Sequence, residues 1–327
     1  MQRVLVTGGT GVIGVEVVRL LVDEGVTPRV LVRRPSRASL LRALDIEPVY
    51  GDLQSAEAIA RAVHGVDTVI HLGGRATFER YERLAPTLVE GTTSLARAAV
   101  DAGVEHLVFA SSALVYGDQQ TPIGADTPVD PQLGYGQAKV AAERRLAEAA
   151  QRSGLTVASV RLPHVYGPHS LLFQQVRQPV AVFPGTMTNL YSHLHVLDAA
   201  RVLVAAARQR WVGVSPVADQ RNATFQEFFD LIRTYHPELH LVRVPEWLGL
   251  AGTAVLEPVL SGRRRVNMFT RGTVVAFNLN LPIEPGPLWD DLRLKPVYPT
   301  IEEGIPAALD GYVQFRWRHP VMDRRRR

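Results

Sequence analysis

The chain has 327 residues, 46% of them hydrophobic, enough apolar material for one large α/β domain or for one with an added lobe. It has no cysteine, which excludes a disulfide framework and any thiolate metal or nucleophile chemistry. Its net charge of +4 comes with 34 Arg and 2 Lys, and the Arg are spread along the whole chain, so a nucleic-acid partner is not expected.

The chain opens on an apolar run, Val4-Leu5-Val6, which enters Thr7-Gly8-Gly9-Thr10-Gly11-Val12-Ile13-Gly14 and then an apolar-periodic segment over 15–22. A strand, a glycine-dense turn and a helix in this order can lay a pyrophosphate on a helix N-terminus. Glycines let the backbone approach the phosphates, and the free N–H groups and helix dipole favour their charge. With a strand at the very start, no secretory leader is expected. The most apolar late stretch, 244–260, is broken by Pro245, Glu246, Glu257 and Pro258 and is too short and too charged to span a bilayer. A cytoplasmic protein with no membrane partner is the expectation. The basic clusters at 316–319 and 324–327 read as a solvated tail.

Strands and helices then alternate. Strands are expected at 29–32, 47–50, 66–72, 106–111 and 155–161, with helices at 38–44, 55–63, 86–102 and 135–153. Strands that are apolar throughout point to a parallel sheet covered on both faces. The alternation breaks after 165, and Pro163, Pro168, Pro179 and Pro184 mark a loop-rich stretch. A helix at 195–207 and a strand at 212–217 follow, the strand returning to the main sheet, and then helical pieces at 225–235 and 246–256. The fold expected is a Rossmann-type, doubly wound parallel sheet of the α/β class with a smaller C-terminal substrate-binding lobe. Residues 1–167 with 195–220 form the dinucleotide-binding part, and 168–194 with 221–327 the lobe that caps it.

The end of the second strand carries Arg33 and Arg34, with Arg37 behind and no acid before Asp45. An acid there would hold a ribose 2′-hydroxyl, whereas Arg pairs a 2′-phosphate, so NADP is preferred over NAD. Asp52, after the third strand, is placed to meet the adenine amino group. Tyr135 and Lys139 stand at i and i+4 of a helix and share a face. A cation beside a phenol favours phenolate, so Lys139 is expected to lower the Tyr135 pKa toward neutrality and let it exchange a proton with a carbonyl or alcohol. Ser112 ends the fifth strand, where its hydroxyl can meet the substrate oxygen. Arg75, Thr77 and Phe78 follow the fourth strand as candidate pocket residues. His193 and His195 alternate and would share one face of a strand; a structural or substrate-lining role is expected of them, and no metal.

The spacing Gly8-x-x-Gly11-x-x-Gly14 after Thr7, together with Ser112, Tyr135 and Lys139, resembles the extended short-chain dehydrogenase/reductases, the NAD(P)-dependent epimerase/dehydratase group. The resemblance runs on through His71-Leu72-Gly73-Gly74, through Arg161-Leu162-Pro163-His164-Val165-Tyr166-Gly167-Pro168, through His195-Val196-Leu197-Asp198-Ala199-Ala200, and through the segment from Trp289 to Gly304. The run from Pro184 to Val196 looks more like the 3β-hydroxysteroid dehydrogenase and dihydroflavonol reductase branches than a sugar-nucleotide clamp.

The resemblance implies catalysis by Ser112, Tyr135 and Lys139, the lysine also holding the nicotinamide ribose. It implies cofactor contacts from Gly8, Gly11, Val12, Ile13 and Gly14, from Arg33, Arg34, Asp52 and Leu53, from His71, Leu72 and Gly73, and from Pro163, His164 and Val165. Arg75, Thr77, Leu114, His164 and His193 would line the substrate, a small molecule, in a homodimer paired through the helices at 86–102 and 135–153. Two positions depart from the family pattern: Leu88 replaces an Asn that supports a water-linked proton path, and His164 replaces the Asn of the RxxN segment. The function implied is NAD(P)-dependent oxidation or reduction at a carbonyl or secondary alcohol. Sugar epimerisation or dehydration is the enzymatic alternative, and a silent cofactor-binding sensor or structural subunit the alternative of another class.

Overall fold

The computed structural model describes residues 3–170, 172–173, 180–260 and 270–318. The basic residues 319 and 324–327 of the expected tail lie outside them. Seven strands form one parallel sheet: β1 (Val4–Thr7), β2 (Arg29–Val32), β3 (Glu47–Tyr50), β4 (Thr68–His71), β5 (His106–Ser112), β6 (Thr156–Leu162) and β11 (Gly213–Pro216). Their order is β11-β6-β5-β4-β1-β2-β3. Successive crossovers run to opposite sides of β1, which leaves a crevice at the C-terminal ends of β1 and β4.

The central strands are buried along their whole length, as their apolar composition dictates. Alternate residues of β1 feed different cores. Val4 and Val6 pack with Val17, Val18 and Leu21 of α1 (Val12–Asp23) and with Ala199, Val202 and Leu203 of α6 (Val196–Gln209). Leu5 faces the other way, toward Ile59 of α2 (Ala56–Val63), Leu95 of α4 (Gly91–Asp101) and Leu146 of α5 (Gly134–Gln151). These are the two helical layers expected of a doubly wound sheet.

Two expected elements differ. The helix over 38–44 is a 3₁₀ segment at Pro35–Leu41. The long helix over 86–102 is broken into α3 (Tyr81–Ala85), a π-turn at Pro86–Glu90, and α4. Pro86 has no N–H to give to the helical ladder, and the hydroxyls of Thr92 and Thr93 bond the carbonyls of Leu88 and Val89 at 2.6 and 2.8 Å.

The C-terminal lobe holds more regular structure than its prolines suggest. β7 (His164–Tyr166) pairs in parallel with β10 (His193–His195), β8 (Val180–Pro184) in parallel with β13 (His240–Val244), and β9 (Leu190–Tyr191) antiparallel with β12 (Ala223–Thr224). Helix α7 (Phe225–Tyr235) starts on a capping box, Thr224 with Glu227, and drives Phe225, Phe228 and Phe229 into an aromatic core with Tyr166, Phe183 and Tyr191. Three further helices are α8 (Glu246–Leu260), α9 (Arg271–Asn278) and α10 (Pro287–Asp291), and α11 (Ile301–Arg318) closes the fold. Among the described residues no helix is long and apolar enough to cross a membrane.

One buried carboxylate ties the last segment to the sheet. Asp198, in the first turn of α6, accepts the N–H groups of Val297 and Tyr298 at 2.8–3.0 Å and pairs with Arg201 at 2.8 Å. Asp198→Ala therefore strands two backbone donors and a cation together. We expect a loss of about 3 kcal/mol in urea unfolding; a loss under about 1 kcal/mol would show that the segment is held by packing alone.

Candidate active site

The crevice begins at the turn between β1 and α1. Gly8 has φ +72°, and a Cβ there would sit 2.7 Å from the Leu72 carbonyl group; a Cβ on Gly14 would sit 2.1 Å from the Gly8 oxygen. Both glycines are therefore demanded by the close approach of backbone. Gly11 is different. It is exposed, its φ of −82° suits any residue, and a Cβ there would meet only the Gly8 oxygen at 3.1 Å. The protein keeps open the space a side chain would fill. Helix α1 starts at this point with no side-chain cap and no acid in its first turn. Its first N–H groups, including those of Val12 and Ile13, are left for an anion. The residues present fit a dinucleotide pyrophosphate.

A hydrogen-bonded chain braces the turn from below. The Gly73 N–H donates to Thr7 Oγ1 at 3.1 Å, and Thr7 Oγ1 lies 2.6 Å from His71 Nδ1. His71 Nε2 lies 2.9 Å from Thr92 Oγ1, which itself donates to the Leu88 carbonyl. Because the Thr92 hydroxyl donates to Leu88, His71 Nε2 must carry a proton, and burial pulls the ring's pKa down to about 3, which leaves Nδ1 to accept from Thr7. The His71 ring is fully enclosed, so its side chain is a strut between β1, β4 and α4 and does not reach a cofactor. The N–H groups of Leu72 and Gly73 are both taken up by Thr7, through its carbonyl and its hydroxyl. Leu53 is buried, packed under Gly73 and Gly91.

Ser112 closes β5, its Oγ accepting the Leu114 N–H at 3.2 Å. The turn Ala113–Val115 seats directly on the first turn of α5: a Cβ on Gly136 would lie 2.3 Å from the Leu114 oxygen. That contact brings the Ser112 turn against the helix carrying Tyr135 and Lys139. The Tyr135 ring is half-buried, edge-on to Phe78 at 6.4 Å, and packs with the cluster of Leu84, Leu88, Val89 and Ala138. Phe78 is in turn covered from the lobe: a Cβ on Gly272 would lie 2.2 Å from its carbonyl oxygen. Leu88, fully buried, gives this wall an apolar surface where an Asn would give hydrogen bonds.

Lys139 corrects one expectation. Its Nζ donates to the Ala110 carbonyl at 2.6 Å and sits 4.4 Å from the Phe109 ring centre and 5.6 Å from that of Tyr135. The charge is engaged by a carbonyl and by ring faces. Burial alone acts on the Tyr135 phenol and raises its pKa instead of lowering it. Burial also pulls Lys139 down to about 8, against the opposing pull of Glu143. Glu143 belongs to a network that the sequence reading missed. It takes Arg161 bidentately at 3.1 and 2.7 Å and the Ser111 hydroxyl, while Arg161 also donates to the Tyr116 hydroxyl at 3.0 Å. Its place four residues after Lys139 on α5 was the available signal.

At the end of β2, Arg33 lies 3.8 Å from Asp52, whose other oxygen accepts the Gln54 N–H; Arg34, exposed, is the N-cap of the 3₁₀ segment. Arg75 pairs with Glu79 at 2.9 Å, and the Thr77 hydroxyl donates to the same carboxylate. On the lobe side, Pro163 follows β6, and His164 and Val165 open β7. His164 Nδ1 lies 2.9 Å from His193 Nδ1, and His193 Nε2 lies 3.1 Å from the Ala223 oxygen. His193 does not line a pocket. It is fully buried, stacked on Phe228 at 5.0 Å, one layer behind His164. His195 Nδ1 caps α6 through the Leu197 N–H.

The Lys139 shift makes stability depend on pH. An ammonium lowered from 10.5 to about 8 is charged in both folded and unfolded states below pH 8, so its burial cost is fully present there. The cost is relieved as pH rises from about 8 toward 10.5, because the unfolded chain then binds more protons. Relative to Lys139→Met, the unmodified protein should gain stability over that range in urea titrations. Parallel curves for the two proteins would contradict this assignment.

The family model described as "NAD dependent epimerase/dehydratase family" matches residues 4–216. Among curated proteins, a ceramide reductase of Caulobacter vibrioides is 31% identical over 223 residues, covering 67% of this chain and 65% of the relative. A 3-beta-hydroxysteroid dehydrogenase of Mycolicibacterium neoaurum is 34% identical over 179 residues, covering 51% and 48%. In both cases the match spans less than two thirds of the relative's own length. Among solved structures, MoeE5 in complex with UDP-glucose and NAD aligns with a TM-score of 0.77 at 23% identity, covering 96% of this chain and 99% of that one. The UDP-glucose 4-epimerase of Thermus thermophilus in complex with NAD aligns at 0.75 and 20%, covering 95% and 99%. These likenesses show the fold. The chain belongs to the NAD dependent epimerase/dehydratase family.

Proposed function

We propose that this protein is an NAD(P)-dependent oxidoreductase that interconverts a carbonyl and a secondary alcohol, with NADP as the preferred cofactor. The observation that carries the reading is the seating of the Ala113–Val115 turn, which Ser112 caps, on Gly136 of α5, the helix that carries Tyr135 and Lys139. The two curated relatives named above, a reductase and a dehydrogenase, support the same reaction class. A nicotinamide bound in the crevice supplies or accepts hydride.

The chain's own residues would do the rest. The first N–H groups of α1 hold the pyrophosphate. Lys139 is already fixed by Ala110, with donors to spare for a ribose. Ser112 donates to the substrate oxygen and orients it. Tyr135, held protonated by burial, is in the state needed to give a proton to a carbonyl oxygen during reduction. The apolar wall of Leu84, Leu88 and Ala138 keeps water from the ring. Arg33 and Arg34, both exposed at the end of β2, would pair a 2′-phosphate. A UDP-glucose 4-epimerase of Azospirillum brasilense, 34% identical over 177 residues, favours sugar epimerisation as a second reading. Conversion of UDP-glucose without net consumption of cofactor would establish that reading.

Replacing Arg33 and Arg34 together by Ala should weaken NADPH by about 1–2 kcal/mol, roughly tenfold, and leave NADH nearly unchanged, as read by titration calorimetry. Equal affinity of the unmodified protein for both cofactors would defeat the proposed preference.

Tyr135→Phe keeps the ring and removes only the hydroxyl. NADPH affinity should stay within about twofold, while turnover of an accepted ketone falls by ~100- to 10,000-fold. A near wild-type rate would make Tyr135 a packing residue and the mechanism wrong.

A further inference from the structure

The His164–His193 pair fixes where the protons sit. A backbone carbonyl can only accept, so the 3.1 Å contact between His193 Nε2 and the Ala223 oxygen places a proton on Nε2. His193 is enclosed by Phe225 at 5.5 Å and Phe228 at 5.0 Å, and burial lowers it to about 4, so the ring is neutral and its Nδ1 carries a lone pair. The 2.9 Å contact between the two Nδ1 atoms then requires that His164 donate. His164, also held neutral by burial, is left with a lone pair on Nε2. That atom has no partner among the described residues. The Nε2 atoms of His106 and His195 are also unpartnered but buried, whereas His164 is a partly exposed residue.

Its backbone lies near the Ser112 end of the proposed site. Leu162, the last residue of β6, stands in register with Ser112. His164 follows two residues later, so its Cα is at most about 12 Å from that of Ser112, within the span of a small organic molecule. The ring is held in place by Phe225 at 5.6 Å and Phe228 at 5.4 Å.

The geometry points to His164 as a specificity residue whose unprotonated Nε2 accepts a hydrogen bond from a hydroxyl or N–H of a neutral substrate. His193 and the Ala223 carbonyl are its positioning groups. The inference rests on the oxidoreductase reading for the location of the substrate. A site that offers a fixed acceptor discriminates against an analogue lacking the donor, because the lone pair is then desolvated without a partner.

Two measurements on the full chain test it. Proton–nitrogen NMR of the imidazoles at pH 7, with His164 assigned by the His164→Phe variant, should show His164 as the Nδ1–H tautomer. In His193→Phe, which fills the same space without the lock, that tautomer should no longer be exclusive. An Nε2–H tautomer or an imidazolium in the unmodified protein overturns the proposal. The second measurement is binding of ortho-, meta- and para-hydroxyacetophenone and the matching methoxy compounds to protein saturated with NADPH. The best hydroxyl compound should bind about fivefold to tenfold tighter than its ether, and the preference should vanish in His164→Phe. No binding by any hydroxyl compound, or a preference that survives in His164→Phe, overturns it as well. If the tautomer and the binding preference both hold but no ketone is reduced, the hydride-transfer reading fails and the His164 assignment stands.

Discussion

The fold's active end depends on one close approach of backbone, that of the Gly8 turn to the Leu72–Gly73 turn on one side and to α1 on the other. No side chain fits at Gly8 or Gly14. The contact sets the N-terminus of α1 at the sheet's C-terminal edge, and the Gly73–Thr7–His71–Thr92–Leu88 chain of hydrogen bonds carries the same alignment across to α4. Every donor in that chain has its acceptor, so a neutral histidine can be buried at the centre of the molecule without an uncompensated polar group.

From this edge outward, positioning is done by shape. Gly136 lets the Ser112 turn rest on α5, and Phe78 and Gly272 join the lobe to the face of Tyr135. Electrostatics are confined below that surface. The Ser111–Glu143–Arg161–Tyr116 network neutralises itself and leaves Lys139 as a buried cation beside it, bonded to a carbonyl. That ammonium is bonded to the Ala110 carbonyl and lies over the faces of Phe109 and Tyr135.

Much of this was legible in the residues themselves. The glycine turn, the alternation that yields a parallel sheet, and the return of the 212–217 strand follow from local pattern, because fully buried parallel strands are apolar throughout. The three small sheets of the lobe were hidden. Their strands are two to five residues long and pair with segments up to 60 residues away, beyond the reach of any local period. The π-turn at Pro86–Glu90 depends on threonine side chains reaching back to carbonyls. The roles of the two histidines, His193 behind and His164 in front, turn on which face of a three-residue strand meets Ala223. The direction of the Tyr135 shift needed the actual position of the Lys139 ammonium, since burial and charge compete and only distance decides between them.

The central claim is that the open space at Gly11 exists for a nicotinamide dinucleotide. Its most direct test is NADPH binding by Gly11→Val, read beside the variant's thermal unfolding. The backbone at Gly11 is extended and its Cβ direction meets one oxygen at 3.1 Å, so the variant should fold with a loss of no more than about 2 kcal/mol, the cost of a poorer N-cap. The valine would occupy the place of the pyrophosphate, and NADPH binding should be lost. A stable variant that binds NADPH as tightly as the unmodified protein would contradict the account.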